Sequence, residues 1–141
     1  MKSTLFKSIS FLILAIFIAN THFTASAQTM PESKEEAKQV LYYMAKEVGY
    51  YFNQVDFGGT KIDEFSYNGE VLTIAILSND MDVRYLTSDM VVIQFHNLCN
   101  NPDKRKSYVT MSTLLRQAES NLRVVYHDDI GHSVEHIFQP R

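Results

Sequence analysis

Asn68-Gly69 stands between two runs, Ile62 to Tyr67 and Glu70 to Ser78, that are rich in β-branched and aromatic residues. Such a dipeptide is the strongest short-range hairpin signal, because a type I′ turn needs positive φ at both central residues. It commits this stretch to two antiparallel strands. The second of them, Val71 to Leu77, is apolar on both faces except at Thr73, which predicts a strand inside a sheet and not at its edge. A central strand needs a partner on its other side and a layer to cover it.

The flanking sequence offers both. Ser33 precedes Glu36 by three residues, the spacing of a capping box. Beyond it Ala37, Val40, Leu41, Met44, Val48, Tyr51, Phe52 and Val55 recur at intervals of three and four, one apolar stripe on a long helix that Gly58-Gly59 ends. After a polar loop, Thr87, Ser88 and Asp89 offer caps for a short helix over Met90 to Cys99. Asn100-Asn101-Pro102 interrupts it, with Asn101 as a new cap and Pro102 at the first helical position. Tyr108, Met111, Leu114, Leu115 and Ala118 line the helix that follows. Leu122 to His127 and His132 to Phe138 then form a second hairpin around Asp128-Asp129-Ile130-Gly131. The expected fold is a single α+β domain of order α-β-β-α-α-β-β. Its four-stranded sheet is mostly antiparallel, lacks a crossover pattern, and carries its helices on one face.

The first thirty residues stand outside this plan. Lys2 and Lys7 precede an apolar stretch from Ile9 to Ala19, and a polar segment ends in Ala25-Ser26-Ala27. That is the pattern of an export signal with a small-x-small cleavage site, cut before Gln28. The apolar stretch is much shorter than the roughly 20 residues that span hydrocarbon, and no Cys stands near the cut to carry a lipid. The expectation is a leader over residues 1–27 and a periplasmic or secreted domain over 28–141.

Removing the leader takes away two lysines, so the whole-chain charge of −3 becomes −5, with 11 Lys and Arg against 16 Asp and Glu. An acidic chain gives no electrostatic case for nucleic-acid binding. Cys99 is the single cysteine, so no disulfide framework exists, and the expected place for its thiol is a buried one. His96 lies three positions before it. Cys99 nevertheless falls near the C-terminal end of its helix, where the dipole disfavours a thiolate.

Three groups are candidates for function. If the second hairpin pairs His127 with His132, then His127, His132 and His136 share one face, with Asp128 and Asp129 at the tip. Imidazoles and carboxylates are zinc ligands. His132 and His136 would be about 13 Å apart on an extended strand, so one ion could take His127, His132 and an Asp but not all three histidines. The pattern matches no established ligand spacing, and the reading preferred here is a solvent-facing strand face with ordinary histidines. No cofactor is therefore expected. Lys104-Arg105-Lys106 is the one cationic cluster, and it sits near a helix start where cations are slightly unfavourable. Tyr42, Tyr43, Tyr50 and Tyr51 all fall in the first helix, and Tyr43 and Tyr50 share with Glu47 a face other than the apolar stripe.

No G-x-S-x-G, H-E-x-x-H or glycine-rich phosphate loop occurs. The reading is a non-catalytic, exported bacterial binding protein acting through protein–protein contact, of inhibitor or immunity type or an envelope accessory factor. Tyr43, Glu47, Tyr50, Lys104, Arg105 and Lys106 form its contact surface. The alternative is a small metal-dependent hydrolase built on His127, Asp128 and His132.

Overall fold

The computed structural model describes residues 31–53, 60–78, 83–99 and 102–140, and the side chains of residues 48, 51–53, 60, 94–99 and 102–108 lie outside that description. Helix α1 (Lys34–Asn53) leads into strands β1 (Thr60–Tyr67) and β2 (Val71–Ser78). A short 3-10 turn at Val83–Tyr85, helix α2 (Ser88–Cys99) and helix α3 (Pro102–Gln117) follow. Strands β3 (Asn121–His127) and β4 (Ser133–Phe138) close the chain. The order is the one expected, in one α+β domain whose helices pack against a four-stranded sheet. Residues 1–27, where a leader is expected, lie outside the described residues, as do Gly58-Gly59, Asn101 and the side chain of Cys99.

Caps set the helix starts. The Ser33 hydroxyl accepts the Glu36 N–H at 3.2 Å. The return bond of the capping box lands one residue early, because the Glu36 carboxylate accepts the Glu32 N–H at 3.0 Å. Thr87 caps α2, its hydroxyl accepting the Met90 N–H at 3.2 Å. Helix α3 begins on Pro102, where the missing N–H costs nothing. It ends without glycine, on Glu119 at a φ of 51°. The Ser120 N–H reaches Leu115 O at 2.9 Å and the Glu119 N–H reaches Arg116 O at 3.1 Å, a Schellman close.

The sheet runs β1-β2-β3-β4, so β2 is internal as its composition requires. Strands β1 and β2 are antiparallel, as are β3 and β4. Strands β2 and β3 are parallel, from Val71 against Asn121 to Leu77 against His127. The expectation of no crossover is therefore corrected. Parallel neighbours must be joined by a crossover, and here the stretch carrying α2 and α3 brings the chain back to the start of β2. A search for a single helix between two strands misses it.

Both hairpin turns sit one residue away from the expected place. In the first, Asn68 bonds Val71, leaving Gly69 and Glu70 as the central pair. Gly69 has a φ of 96° while Glu70 stays at negative φ, the pattern of a type II′ turn. The Asn68 side-chain oxygen decides this by accepting the Glu70 and Val71 N–H groups at 2.9 and 2.8 Å. A Cβ on Gly69 would meet the Tyr42 hydroxyl at 2.9 Å. In the second hairpin Asp128 faces His132 and His127 pairs with Ser133. Gly131, at a φ of 97°, closes a three-residue loop.

One face of the sheet makes the core. Ile62, Phe65, Leu72, Ile74, Ile76, Leu122, Val124 and Tyr126 meet Leu41 and Met44 of α1, Val91 of α2, and Met111, Leu114, Leu115 and Ala118 of α3. Leu41, Met44, Ile74 and Ile76 are at most 1% exposed, as the helical and strand periodicities require. Tyr67 anchors this layer through its hydroxyl, 2.6 Å from Ser120 Oγ. Ser120 spends its own proton on Ala118 O at 3.0 Å, so the phenol is the donor. Burial pushes the Tyr67 phenol above its ordinary range.

Candidate functional site

The other face of the sheet carries the ionisable groups. The β1–β2 register passes from Ile62 against Ile76 to Glu64 against Ala75, so Asp63 is the extra residue of a bulge. The bulge turns Asp63 and Glu64 to the open face while Ile62 and Phe65 stay in the core. Asp63 then spans β2 to reach β3. Its Oδ2 lies 2.8 Å from His127 Nε2, each side chain being 28% exposed. Between them β2 presents the small side chain of Ala75, which forms part of the floor of a shallow depression of about 400 Å³. Asp63, Glu64, Arg123, His127, Asp128 and His132 provide its ionisable lining.

Each of these groups already has a partner within the chain. Arg123 Nε donates to Glu135 at 2.7 Å, across the β3–β4 pair. Ser66 donates to Glu64 at 2.9 Å. His132 Nδ1 lies 2.9 Å from Asp128 Oδ2. Asp128 Oδ1 takes the N–H groups of Ile130 and His132 at 3.0 and 2.9 Å. Burial opposes the charge on Asp128, but the His132 backbone and ring, together with the Ile130 N–H, outweigh it and hold the carboxyl below its ordinary range.

His136 does not join this group. The expected pairing of His127 with His132 is off by one residue, and a one-residue slip moves a side chain to the opposite face. His136 therefore turns toward α2, with Nδ1 3.0 Å from Ser88 Oγ and its ring edge-on to Phe138 at 4.6 Å. The loop decides the slip, since Asp128 with two N–H groups in hand fixes itself opposite His132. Among the described residues no three His, Cys, Asp or Glu side chains converge as metal ligands. His127 and His132, proposed as ligands with Asp128, are held by separate carboxylates.

Helix α1 provides the second surface. Its stripe puts Ala37, Leu41 and Met44 at 0% exposure. Tyr43 and Tyr50 are 45% and 69% exposed, with Glu47 half-buried between them. Tyr42, 48% exposed, is committed differently, its ring edge-on to Tyr67 at 4.8 Å beside the first hairpin turn. Tyr43, Glu47 and Tyr50 thus share an outward face. Lys104, Arg105 and Lys106 lie on the first two turns of α3, and their side chains fall outside the description.

Sequence reasoning missed Asp63, Arg123 and Glu135. Nothing in Lys61-Ile62-Asp63-Glu64 marks a bulge, and Arg123 meets Glu135 only once the second hairpin has its register. Among the described residues no helix is long and apolar enough to cross a membrane. Comparison with protein-family models, with curated proteins and with solved structures finds no match, so the functional reading rests on this chain's own geometry.

Proposed function

We propose that the mature chain is an exported, non-catalytic binding protein of the bacterial envelope, periplasmic or secreted, which acts by protein–protein contact through the outer face of α1. The observation that carries the reading is the contrast along that helix. Leu41 and Met44 are sealed, while Tyr43 and Tyr50 keep about half or more of their surface in water. An isolated domain gains little from aromatic rings turned away from its own core. In an interface such rings supply large contact area at small side-chain entropy cost, and their hydroxyls tolerate water before binding. An inhibitor, an immunity-type partner or an accessory factor would use such a face. The open-face depression supports a hydrolase less well, because its acids and bases are each already hydrogen-bonded within the chain.

The test is a pull-down from envelope extract with the mature domain, followed by affinity measurement on the partner. A Tyr43→Ala, Tyr50→Ala double variant should bind at least about fivefold more weakly, the loss expected when one anchor worth 1 kcal/mol is truncated. Its melting temperature should stay close to the parent's. Normal binding by a folded double variant would move the contact elsewhere, and Lys104-Arg105-Lys106 is then the next surface to change.

A further inference from the structure

We infer that the outer face of α1 pairs with the same face of a second copy of this chain, the two helices lying antiparallel about a twofold axis. The inference rests on the proposal that this face is a contact surface, and it names what the face meets. Along α1 the exposed residues Glu36, Gln39, Tyr43, Lys46 and Tyr50 recur at intervals of three, four, three and four. That alternation is the spacing of a coiled-coil seam, which keeps one line of side chains facing a second helix along its length. Leu41 and Met44 seal the opposite side of α1 into the core, so the seam turns away from the domain's own packing.

A twofold contact joins a patch to itself, so when residue i meets residue j, j also meets i. With the axis crossing α1 at the level of Leu41, the seam falls on itself. Glu36 then lies opposite the partner's Lys46, and Gln39 opposite the partner's Tyr43, each pairing occurring twice. Sliding the copy until Tyr50 meets Gln39 would set Lys46 against Tyr43 and leave Glu36 without a cation, so charge selects the first register. Neither charge is answered along its own helix. No acidic residue stands three or four positions from Lys46, and no basic one three or four positions from Glu36. Glu36 Oε2 accepts the Glu32 N–H at 3.0 Å, and Oε1 is the oxygen offered to the ammonium. The Tyr43 rings supply apolar area over the Gln39 stems. One helix face per chain is a small contact, so the association is weak and depends on concentration.

Protein expressed from the full chain, purified and followed by sedimentation velocity from micromolar to millimolar concentration at neutral pH, tests the pairing. The parent should show a reversible monomer–dimer equilibrium. Lys46→Glu sets carboxylate against carboxylate at both symmetric pairs, and Glu36→Lys sets ammonium against ammonium. Each variant alone should therefore dimerise roughly tenfold more weakly or worse. An equimolar mixture of the two should recover the parent's affinity, because each chain then meets its opposite charge, and that recovery also shows that both variants are folded. A parent that stays monomeric throughout, a dimer that Lys46→Glu leaves unweakened, or a mixture as weak as its components overturns the inference. The contact reading fails separately. A monomeric parent that loses an envelope partner in Tyr43→Ala, Tyr50→Ala overturns the self-pairing alone, whereas a double variant unchanged in both self-association and capture overturns both.

Discussion

The two faces of the sheet use the same strands in opposite ways. On the covered face β2 and β3 contribute Leu72, Ile74, Ile76, Leu122, Val124 and Tyr126, none more than 3% exposed. On the open face the same strands present Thr73, Ala75, Arg123 and His127, and the contacts there are hydrogen bonds and ion pairs. Apolar burial is non-directional and adds up with area, whereas a partly exposed ion pair trades solvation for attraction at little net gain. Stability should therefore be concentrated on the covered face, and the open face should tolerate change.

Ile74 offers the largest expected effect on that contrast. It is 1% exposed at the middle of β2, between β1 and β3. Ile74→Ala should cost roughly 2–5 kcal/mol, the sum of lost transfer energy and the cavity left behind. Urea denaturation should show the midpoint falling while the slope stays unchanged. A midpoint that does not move would mean that the load is not carried by this face.

Asp128 tests the boundary between the faces. Its carboxylate holds the loop that sets the β3–β4 register, so Asp128→Ala should lower the midpoint at neutral pH by less than Ile74→Ala does. The pH dependence has a definite sign. An acid held below its unfolded value stabilises the fold above that value, and the contribution fades as pH falls through the folded one. Parent and Asp128→Ala should thus differ most at neutral pH and converge as pH drops below about 3.8, the ordinary aspartate value. Equal separation at pH 7 and pH 3 would exclude the carboxylate as the source.

How much of this could be read from the sequence follows the same division. The covered face was legible because its signal is periodic. Leu41 and Met44 recur at helical spacing, Val71 to Leu77 is apolar throughout, and each such residue needs only the right face. Element order, the Pro102 start and the Thr87 cap were legible for the same local reason. The open face was not, because each of its contacts joins residues distant in sequence through a register that the periodicity leaves free. His136 shows the cost. The residue types of the second turn were read correctly, but the loop is one residue tighter than assumed, and that moved the histidine to the other side of the sheet. The parallel β2–β3 pairing was hidden likewise, since two helices between strands do not state which neighbour the returning strand chooses. The exposed tyrosines of α1 were legible as residues off the apolar stripe. What they contact was not.

The Asp63–His127 pair should show the smallest effect, and it is the sharpest test of the open face. Two features could make it important. It joins β1 to β3 over the top of β2, and it sits on a bulge, where the ladder is locally interrupted. Against this, both side chains are 28% exposed, and each can regain water when the other is lost. Pairs open to solvent to this degree contribute about 0.2–1 kcal/mol in double-mutant cycles. The bulge also has a cause independent of the pair, since Ile62 and Phe65 must both reach the core and an extra residue between them is what allows it. Asp63→Asn should therefore shift the urea midpoint only slightly, and Asp63→Asn with His127→Gln should lose little more than the single variant. A coupling energy well above 1 kcal/mol would show that the bridge over β2 helps to hold the bulge in place. The open face would then be a structural element in its own right, and the division of labour between the two faces would fail at this point.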